Sequence, residues 1–306
     1  MRLLAACALC ACVPQYDPCF APEMLVSSPR VLAMRADPPE ASLDDPRVQV
    51  RALVAEETGP ASSRPARLTL CVPQGECGLS LDGEVSRGEI RFDVQAPRDL
   101  LDASLRADAL AGFGGVRLEA RLDVQGAPPA RKLLLFSRSS APNQPIEVAG
   151  VRATRLGVEV SRAGDFQQPG PQLQLTVGLQ FGLLPLLGEG GEEYDVIDLS
   201  GRSVRLRERV SYELYSSGAL YFGKLPYSVT VGPLVYFGTL DPDAALADEP
   251  LGAPPSNGTL DATVFGSGWL WIVARDGRGA VAWASVAVEG VLDPAIFRRG
   301  RVFGCL

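Results

Sequence analysis

The chain has 306 residues, of which 46% are hydrophobic and 21% charged, and it contains no histidine. The absence of histidine excludes Ser-His-Asp and Cys-His catalysis and every metal site that uses an imidazole ligand. The net charge of -7 argues against the clustered positive charge that nucleic-acid binding requires, so no nucleic-acid partner is expected.

The first eleven residues have the outline of a short export signal. Arg2 precedes a small and apolar run that is too short to span a bilayer, which requires about 20 apolar residues. The segment Leu9-Cys10-Ala11-Cys12 resembles the lipobox of bacterial lipoproteins, whose final cysteine receives diacylglycerol. Leu4-Ala5-Ala6-Cys7 also fits this motif but would leave a six-residue signal. We therefore expect a lipoprotein signal over residues 1–11 and a tether over residues 12–28 that carries lipid on Cys12.

The cysteine count is consistent with this interpretation. The chain has seven cysteines, of which the signal removes two and the lipid occupies one. The remaining four permit three disulfide pairings outside the cytosol. Cys71 and Cys77 flank a turn-rich spacer and are the first choice, and Cys19 and Cys305 would then join the two ends of the mature chain.

The first half of the chain reads as short strands separated by proline, glycine and aspartate. Apolar residues alternate with polar or small ones, which places one face of each strand in a core and the other in water. We predict a β-sandwich domain over residues 29–140, with strands at 30–36, 48–55, 66–71, 89–94, 115–124 and 131–138. Leucines at near-helical spacing predict one short helix over residues 99–110.

The second half is also rich in strands. Two prolines and an asparagine in residues 139–147 interrupt the periodicity and suggest a boundary. We predict a second domain over residues 145–291 and a C-terminal tail over 292–306. Closely spaced strands with almost no helix between them indicate an all-β fold of antiparallel sandwiches.

Two patches of the second half resemble the immunoglobulin-like or PKD-like sandwich domains of bacterial surface proteins. They are DLSGRSVRLRERVSYELYSSGAL over 198–220 and WLWIVARDGRGAVAWASVAV over 269–288, of which the second predicts a terminal hairpin. Together with RVLAMRADPPEA and ALVAEETG near the amino terminus, they are similar to a group of predicted envelope lipoproteins of myxobacterial type. The resemblance implies two immunoglobulin-like sandwiches in tandem at the cell envelope, and it implies no reaction. Val13 after the lipidated cysteine favours the outer membrane by analogy with lipoprotein sorting.

Aromatic residues are concentrated in the second half and are candidates for binding a glycan or a protein partner: Tyr212, Tyr215, Trp269, Trp271 and Trp283. The alternative for such residues on strands is packing in a core and across strands.

Acidic residues supply the remaining candidates. Calcium takes oxygen ligands and stiffens extracellular domains, and the candidate ligands are Asp241, Asp243, Asp248 and Asp276. No other cofactor is expected. A denser acidic cluster beside Tyr194 would permit a carboxylate-dependent glycosidase, although a solvated loop explains it more simply.

The sequence thus favours a non-enzymatic, lipid-anchored envelope protein that contacts the membrane through its lipid and presents β-sandwich domains to an envelope protein or glycan. A carbohydrate- or peptidoglycan-binding adhesion module is the first alternative, and a glycosidase is the alternative from another class.

Overall fold

A computed structural model describes residues 25–109, 112, 114–156, 158–164, 172–176, 179–187, 193–197, 203–207, 210–222 and 260–291. Over these ranges the chain is all-β apart from one helix, and its strands belong mainly to antiparallel sheets, as the sequence predicts. No helix within them has the length and hydropathy to cross a bilayer.

The strands before residue 138 form the N-terminal unit. In chain order they and the helix are β1 Arg30–Asp37, β2 Glu40–Ser42, β3 Arg47–Glu56, β4 Gly59–Pro60, β5 Arg64–Cys71, β6 Cys77–Val85, β7 Glu89–Gln95, α1 Arg98–Ala107, β8 Val116–Val124 and β9 Ala130–Ser137.

Two sheets build this unit. One contains β1, β3, β4 and β7, and the other has the order β2-β9-β8-β5-β6. All pairs are antiparallel except β2 with β9, which is parallel. Alternate residues of β3, among them Val50 and Ala52, lie in the same buried core as Leu118 and Leu122 of β8. The period-two pattern in the sequence is therefore the pattern of a two-layer β-sandwich.

Helix α1 follows β7 and closes one part of this core. It buries Leu100 and Leu101, and the Ser104 hydroxyl donates to the Arg117 carbonyl at 2.6 Å. The observed helix begins one residue earlier than the predicted one and ends at Ala107.

The strands after residue 147 form the C-terminal unit. They are β10 Val148–Arg155, β11 Val158–Gly164, β12 Gln172–Thr176, β13 Gln180–Leu187, β14 Glu193–Ile197, β15 Ser203–Arg207, β16 Val210–Phe222, β17 Leu260–Asp276 and β18 Val281–Val291. Residues 139–147, where the sequence suggests a boundary, contain no strand.

The long strand β17 organises this unit. Its first residues pair with β13, its last residues pair with β18 in the predicted terminal hairpin, and β16 pairs along its other side. The sheet continues to β10 and β11 at one end and to β12 at the other. β12 pairs in parallel with β18, the last strand of this unit. The N-terminal unit has the same feature, because its short strand β2 pairs in parallel with its last strand, β9. A separate core contains Val151, Leu173 and Ile272.

Candidate functional site at the interface of the two units

An apolar interface joins the two units, and it is built from residues of both halves of the sequence. Residues that face away from the first core, Leu53 and Ala55 of β3 and Ala33 of β1, pack against Trp271 and Val273 of β17. The complete buried cluster is Val26, Leu32, Ala33, Leu53, Ala55, Trp271, Val273 and Val281, with Tyr215, Trp269 and Trp283 packed at its margin. An apolar interface of this kind opposes relative motion of the units.

Trp283 joins the apolar interface to charged groups of the N-terminal unit. Its indole N–H donates to Glu89 Oε1 at 2.9 Å, and the guanidinium groups of Arg35 and Arg51 lie 5.2 and 5.8 Å from its ring. Arg51 also donates to Glu89 Oε2 at 2.6 Å. Burial by itself raises the pKa of Glu89, but the hydrogen bonds from Arg51 and Trp283 outweigh it and hold that pKa below its ordinary value.

A second charged group lies beside Tyr215. Arg275 donates to Glu213 at 2.6 Å and to the carbonyl of Leu32 in the other unit at 3.4 Å. The Tyr215 hydroxyl donates to the same Glu213 oxygen at 2.7 Å, and burial together with this bond raises the pKa of Tyr215 to about 12. The hydroxyl therefore remains a hydrogen-bond donor at neutral pH.

A polar network links the β17–β18 turn to the N-terminal unit. The side chain of Asn143 donates to Asp276 at 3.0 Å, while its backbone N–H donates to Glu40 at 2.8 Å. Arg278 lies 3.5 Å from the same carboxylate of Glu40. Lys132 donates across the interface to the Gly279 carbonyl at 2.5 Å, and burial lowers the pKa of Lys132.

The segment that precedes β1 also enters the interface. Leu25 forms a parallel bridge with Ser216 of β16, and the backbone N–H of Val26 donates to the Ser216 carbonyl at 2.8 Å. Val26 has no exposed surface. Leu25 and Val26 belong to the tether predicted over residues 12–28, but here they are bonded to the C-terminal unit, and Val26 is buried between the two units. The end of the predicted tether is therefore part of the folded body.

Of the five aromatic residues predicted to bind a ligand, two are buried and three are half-buried. Tyr212, with 2% exposure, lies in the core of the C-terminal unit, and Trp271 is fully buried in the interface. Trp269, Trp283 and Tyr215 are half-buried at the margin of that interface. A buried side chain cannot stack on a ligand. Tyr212 and Trp271 therefore pack in a core, which is the alternative that the sequence left open for aromatic residues on strands.

Some of the candidate cysteine and aspartate residues lie in the described part of the chain and the others lie outside it. Cys71 and Cys77 form a disulfide, which confirms the first choice from the sequence. Cys12, Cys19 and Cys305 lie outside the described residues, as do Asp241, Asp243 and Asp248.

Asp276 is a turn-forming residue in this structure. Its Oδ1 accepts hydrogen bonds from the backbone N–H groups of Arg278, Gly279 and Ala280, and its Oδ2 accepts one from Asn143. These four hydrogen bonds fix the carboxylate against the turn and against Asn143. Within the described ranges, no group of three or more acidic or cysteine side chains has the geometry to hold a metal ion.

Arg35, Arg51, Glu89, Glu40 and Asn143 were not singled out from the sequence. They lie on separate strands and loops, and no short motif connects them. The sequence signal for the interface was the odd-numbered face of β3, where Arg51, Leu53 and Ala55 alternate with the core residues.

No protein-family model and no curated protein matches the chain. Many solved structures are similar at a distance, and three of them are as follows. The C-terminal 282-residue fragment of intimin in complex with the translocated intimin receptor's intimin-binding domain is 10% identical, with a TM-score of 0.24 over 86% of this chain and 65% of that one. The adhesin InvE of Yersinia pseudotuberculosis is 12% identical, with a TM-score of 0.23 over 84% and 58%. Red sea bream transglutaminase is 10% identical, with a TM-score of 0.24 over 87% and 32%. The chain spans less than two thirds of each of these structures, and the similarities are too distant to bear on activity or partners.

Proposed function

We propose that this chain is a non-enzymatic, lipid-anchored envelope protein whose two β-sandwich units act as a single body that presents a binding surface outside the cytoplasm. The interlocked interface is the observation that supports the single body. Its charged side chains, including Glu89, Arg51 and Glu213, are engaged with one another and with tryptophan and tyrosine, which is an arrangement for holding two units together.

The position of Leu25 and Val26 supports an anchoring role for the preceding segment. Thirteen peptide steps separate Cys12 from Leu25, and a fully extended chain of that length reaches at most about 45 Å. A lipid on Cys12 would therefore keep the body close to the membrane. Because Val26 is buried between the units, the tether would hold both of them and not the first alone.

Lipid attachment supplies membrane affinity in proportion to the buried CH₂ groups, about 0.8 kcal/mol for each. Once such a tether is in place, the protein needs no spanning helix to remain at the envelope. The outer membrane is the destination that we propose, on the strength of Val13.

Membrane fractionation of a bacterial host that expresses the full chain tests the anchor. We expect Cys12→Ser to move the protein to the soluble fraction and to abolish the mass increase of a diacylated N-terminal peptide. Cys10→Ser is the matched control, two residues away, and should leave both unchanged. Membrane retention of Cys12→Ser would contradict the anchor, and release by Cys7→Ser alone would place the lipid on Cys7.

A further inference from the structure

A groove with a mixed polar and apolar lining lies on the part of the β1–β3–β7 sheet face that the C-terminal unit leaves uncovered. Its volume is about 530 Å³, and its polar lining comes from the end of β1, the start of β3 and the end of β7: Asp37, Arg47, Gln49, Asp93 and Gln95. Pro38 adds an exposed apolar ring at the rim. The groove uses none of the residues of the interface cluster.

The strand register sets these side chains in rows across the sheet. Asp37 lies opposite Gln49, which lies opposite Asp93, and in the next row of the same face Arg47 lies opposite Gln95. Neighbouring strands are about 4.8 Å apart, and successive side chains on one face are about 6.7 Å apart. The polar groups therefore form a grid whose footprint suits a short oligosaccharide.

Hydrogen bonds within the groove fix the orientation of its side chains. Gln49 donates through Nε2 to Asp93 Oδ1 at 2.9 Å, and Arg47 donates through Nε to Gln95 Oε1 at 3.0 Å. Asp37 pairs through Oδ2 with Arg35 at 2.9 Å. These bonds give the side chains preferred orientations, which reduces the entropic cost of ordering them around a ligand.

Each of these side chains keeps an unused hydrogen-bonding atom. Among the described residues, no partner occupies the terminal nitrogens of Arg47 or Nε2 of Gln95, which are donors. The same holds for Oε1 of Gln49, Oδ2 of Asp93 and Oδ1 of Asp37, which are acceptors. Donors and acceptors thus alternate over one small surface.

The geometry points to a neutral saccharide as the ligand of this groove. A sugar hydroxyl donates one hydrogen bond while it accepts others, so it matches a surface on which amide, guanidinium and carboxylate groups alternate. An anionic ligand would meet the carboxylates of Asp37 and Asp93, and a cationic ligand would meet Arg47. The mixed charges therefore favour neither kind of ion, and the alternating donors and acceptors match a neutral polyhydroxylated ligand.

This inference deepens the proposed function, on which it rests, because it names what the body would bind at the envelope. The binding measurement uses the full chain with Cys12→Ser, so that it does not depend on membrane attachment. Loss of the anchor and loss of the groove's ligand are then separate results.

Neutral tetrasaccharides of N-acetylglucosamine and of glucose are the probes, and heparin tetrasaccharide is the anionic comparator. We expect isothermal titration at millimolar sugar to detect binding of at least one neutral probe. Asp93→Asn should weaken that binding about tenfold, as expected for one altered hydrogen bond to a charged group. Gln49→Ala should weaken it to a similar extent.

Asp82→Asn is the matched control, because Asp82 is an exposed carboxylate that pairs with an arginine on β5, in the other sheet. The affinity of Asp82→Asn for the neutral tetrasaccharide should stay within twofold of that of the parent protein. Circular dichroism verifies that the variants fold, and Gln95→Ala provides a third groove variant if one of them does not. Failure of both neutral probes to bind, a preference for heparin, or equal affinity of the Asp93 and Asp82 variants would overturn the assignment.

Discussion

Replacing Trp283 with phenylalanine should loosen the attachment between the two units, because it removes one hydrogen bond and keeps an aromatic ring. The lost bond joins the indole N–H to Glu89 Oε1 at 2.9 Å. A hydrogen bond to a charged group contributes about 1.5–3 kcal/mol to stability. Since the Glu89 side chain keeps 32% of its surface exposed, solvent screening reduces the expected loss to about 1–2 kcal/mol.

The assay is urea unfolding of the full chain, followed by tryptophan fluorescence and by far-UV circular dichroism. All three tryptophans of the chain lie at the interface, so fluorescence reports its opening while circular dichroism reports loss of the sheets. A double-mutant cycle of Trp283→Phe with Glu89→Ala should give a coupling energy of about 1–2 kcal/mol in the free energy of unfolding.

Trp271→Phe is the matched control, because this indole also lies in the interface but its N–H has no hydrogen-bond partner among the described residues. Its cycle with Glu89→Ala should be additive within about 0.5 kcal/mol. If the two cycles gave the same coupling energy, the hydrogen bond between Trp283 and Glu89 would not be the contact that holds this part of the interface.

The same carboxylate should make stability depend on pH. The pKa of Glu89 in the folded protein lies below its ordinary value of 4.5, so folding favours the ionised form. The stabilisation is therefore complete above about pH 4.5 and is lost as the pH falls through the folded-state pKa. Urea midpoints of the wild type and Glu89→Gln should differ more at about pH 6 than at about pH 3. A difference that is constant with pH would contradict this role.

Two further changes test the interface and the disulfide. Gly59→Ala should lower the free energy of unfolding by about 1–3 kcal/mol, because a Cβ there would lie 2.6 Å from Trp269 Nε1 and the backbone has a φ of +141°. A Cβ at Gly277 would meet nothing within 4 Å, so Gly277→Ala should change the free energy of unfolding by less than about 0.5 kcal/mol in the same urea assay. Equal effects of the two substitutions would contradict the packing of Gly59 against Trp269. Replacing Cys71 and Cys77 together with serine should cost about 2 kcal/mol, as expected for a short loop, and reductant should give the wild type the same urea midpoint as the variant but leave the variant's unchanged.

The fold could be predicted because each strand carries its own signal. In β3 the inward residues Val48, Val50, Ala52 and Val54 are apolar at period two, and this pattern requires only that one face be buried. The Asp-Gly-Arg-Gly turn after β17 is equally local, and it forms the predicted hairpin. Local patterns of this kind do not depend on which other strands lie nearby.

The interface could not be predicted, because it depends on two faces that are distant in the chain. Leu53 and Ala55 alternate with core residues, but the sequence does not say whether solvent or another unit covers their face. The same ambiguity affected Trp271, whose indole is apolar enough for a core and polar enough for a binding surface. Its burial is decided by residues more than 200 positions earlier, which meet it only after both units fold.

The groove had no sequence signal for a different reason. Its side chains, including Gln49, Asp93 and Gln95, are ordinary residues for the solvent face of an antiparallel strand. Two properties distinguish these side chains. The strand register brings them into rows, and their hydrogen bonds leave a donor or acceptor atom unused on each. Neither property can be read before the strands are paired.

Strand β1 relates the proposed anchor to the proposed groove. The segment at Val26 enters the interface near Arg30, whose guanidinium lies over Tyr215, whereas the groove lies at the Asp37 end of the same strand. Seven steps of extended chain separate those ends, a distance of about 23 Å. The C-terminal unit covers the face between them through Trp283 and its contacts with Arg35 and Arg51. The groove therefore lies at the end of β1 that is farther from Leu25, the residue at which the proposed tether would join the body.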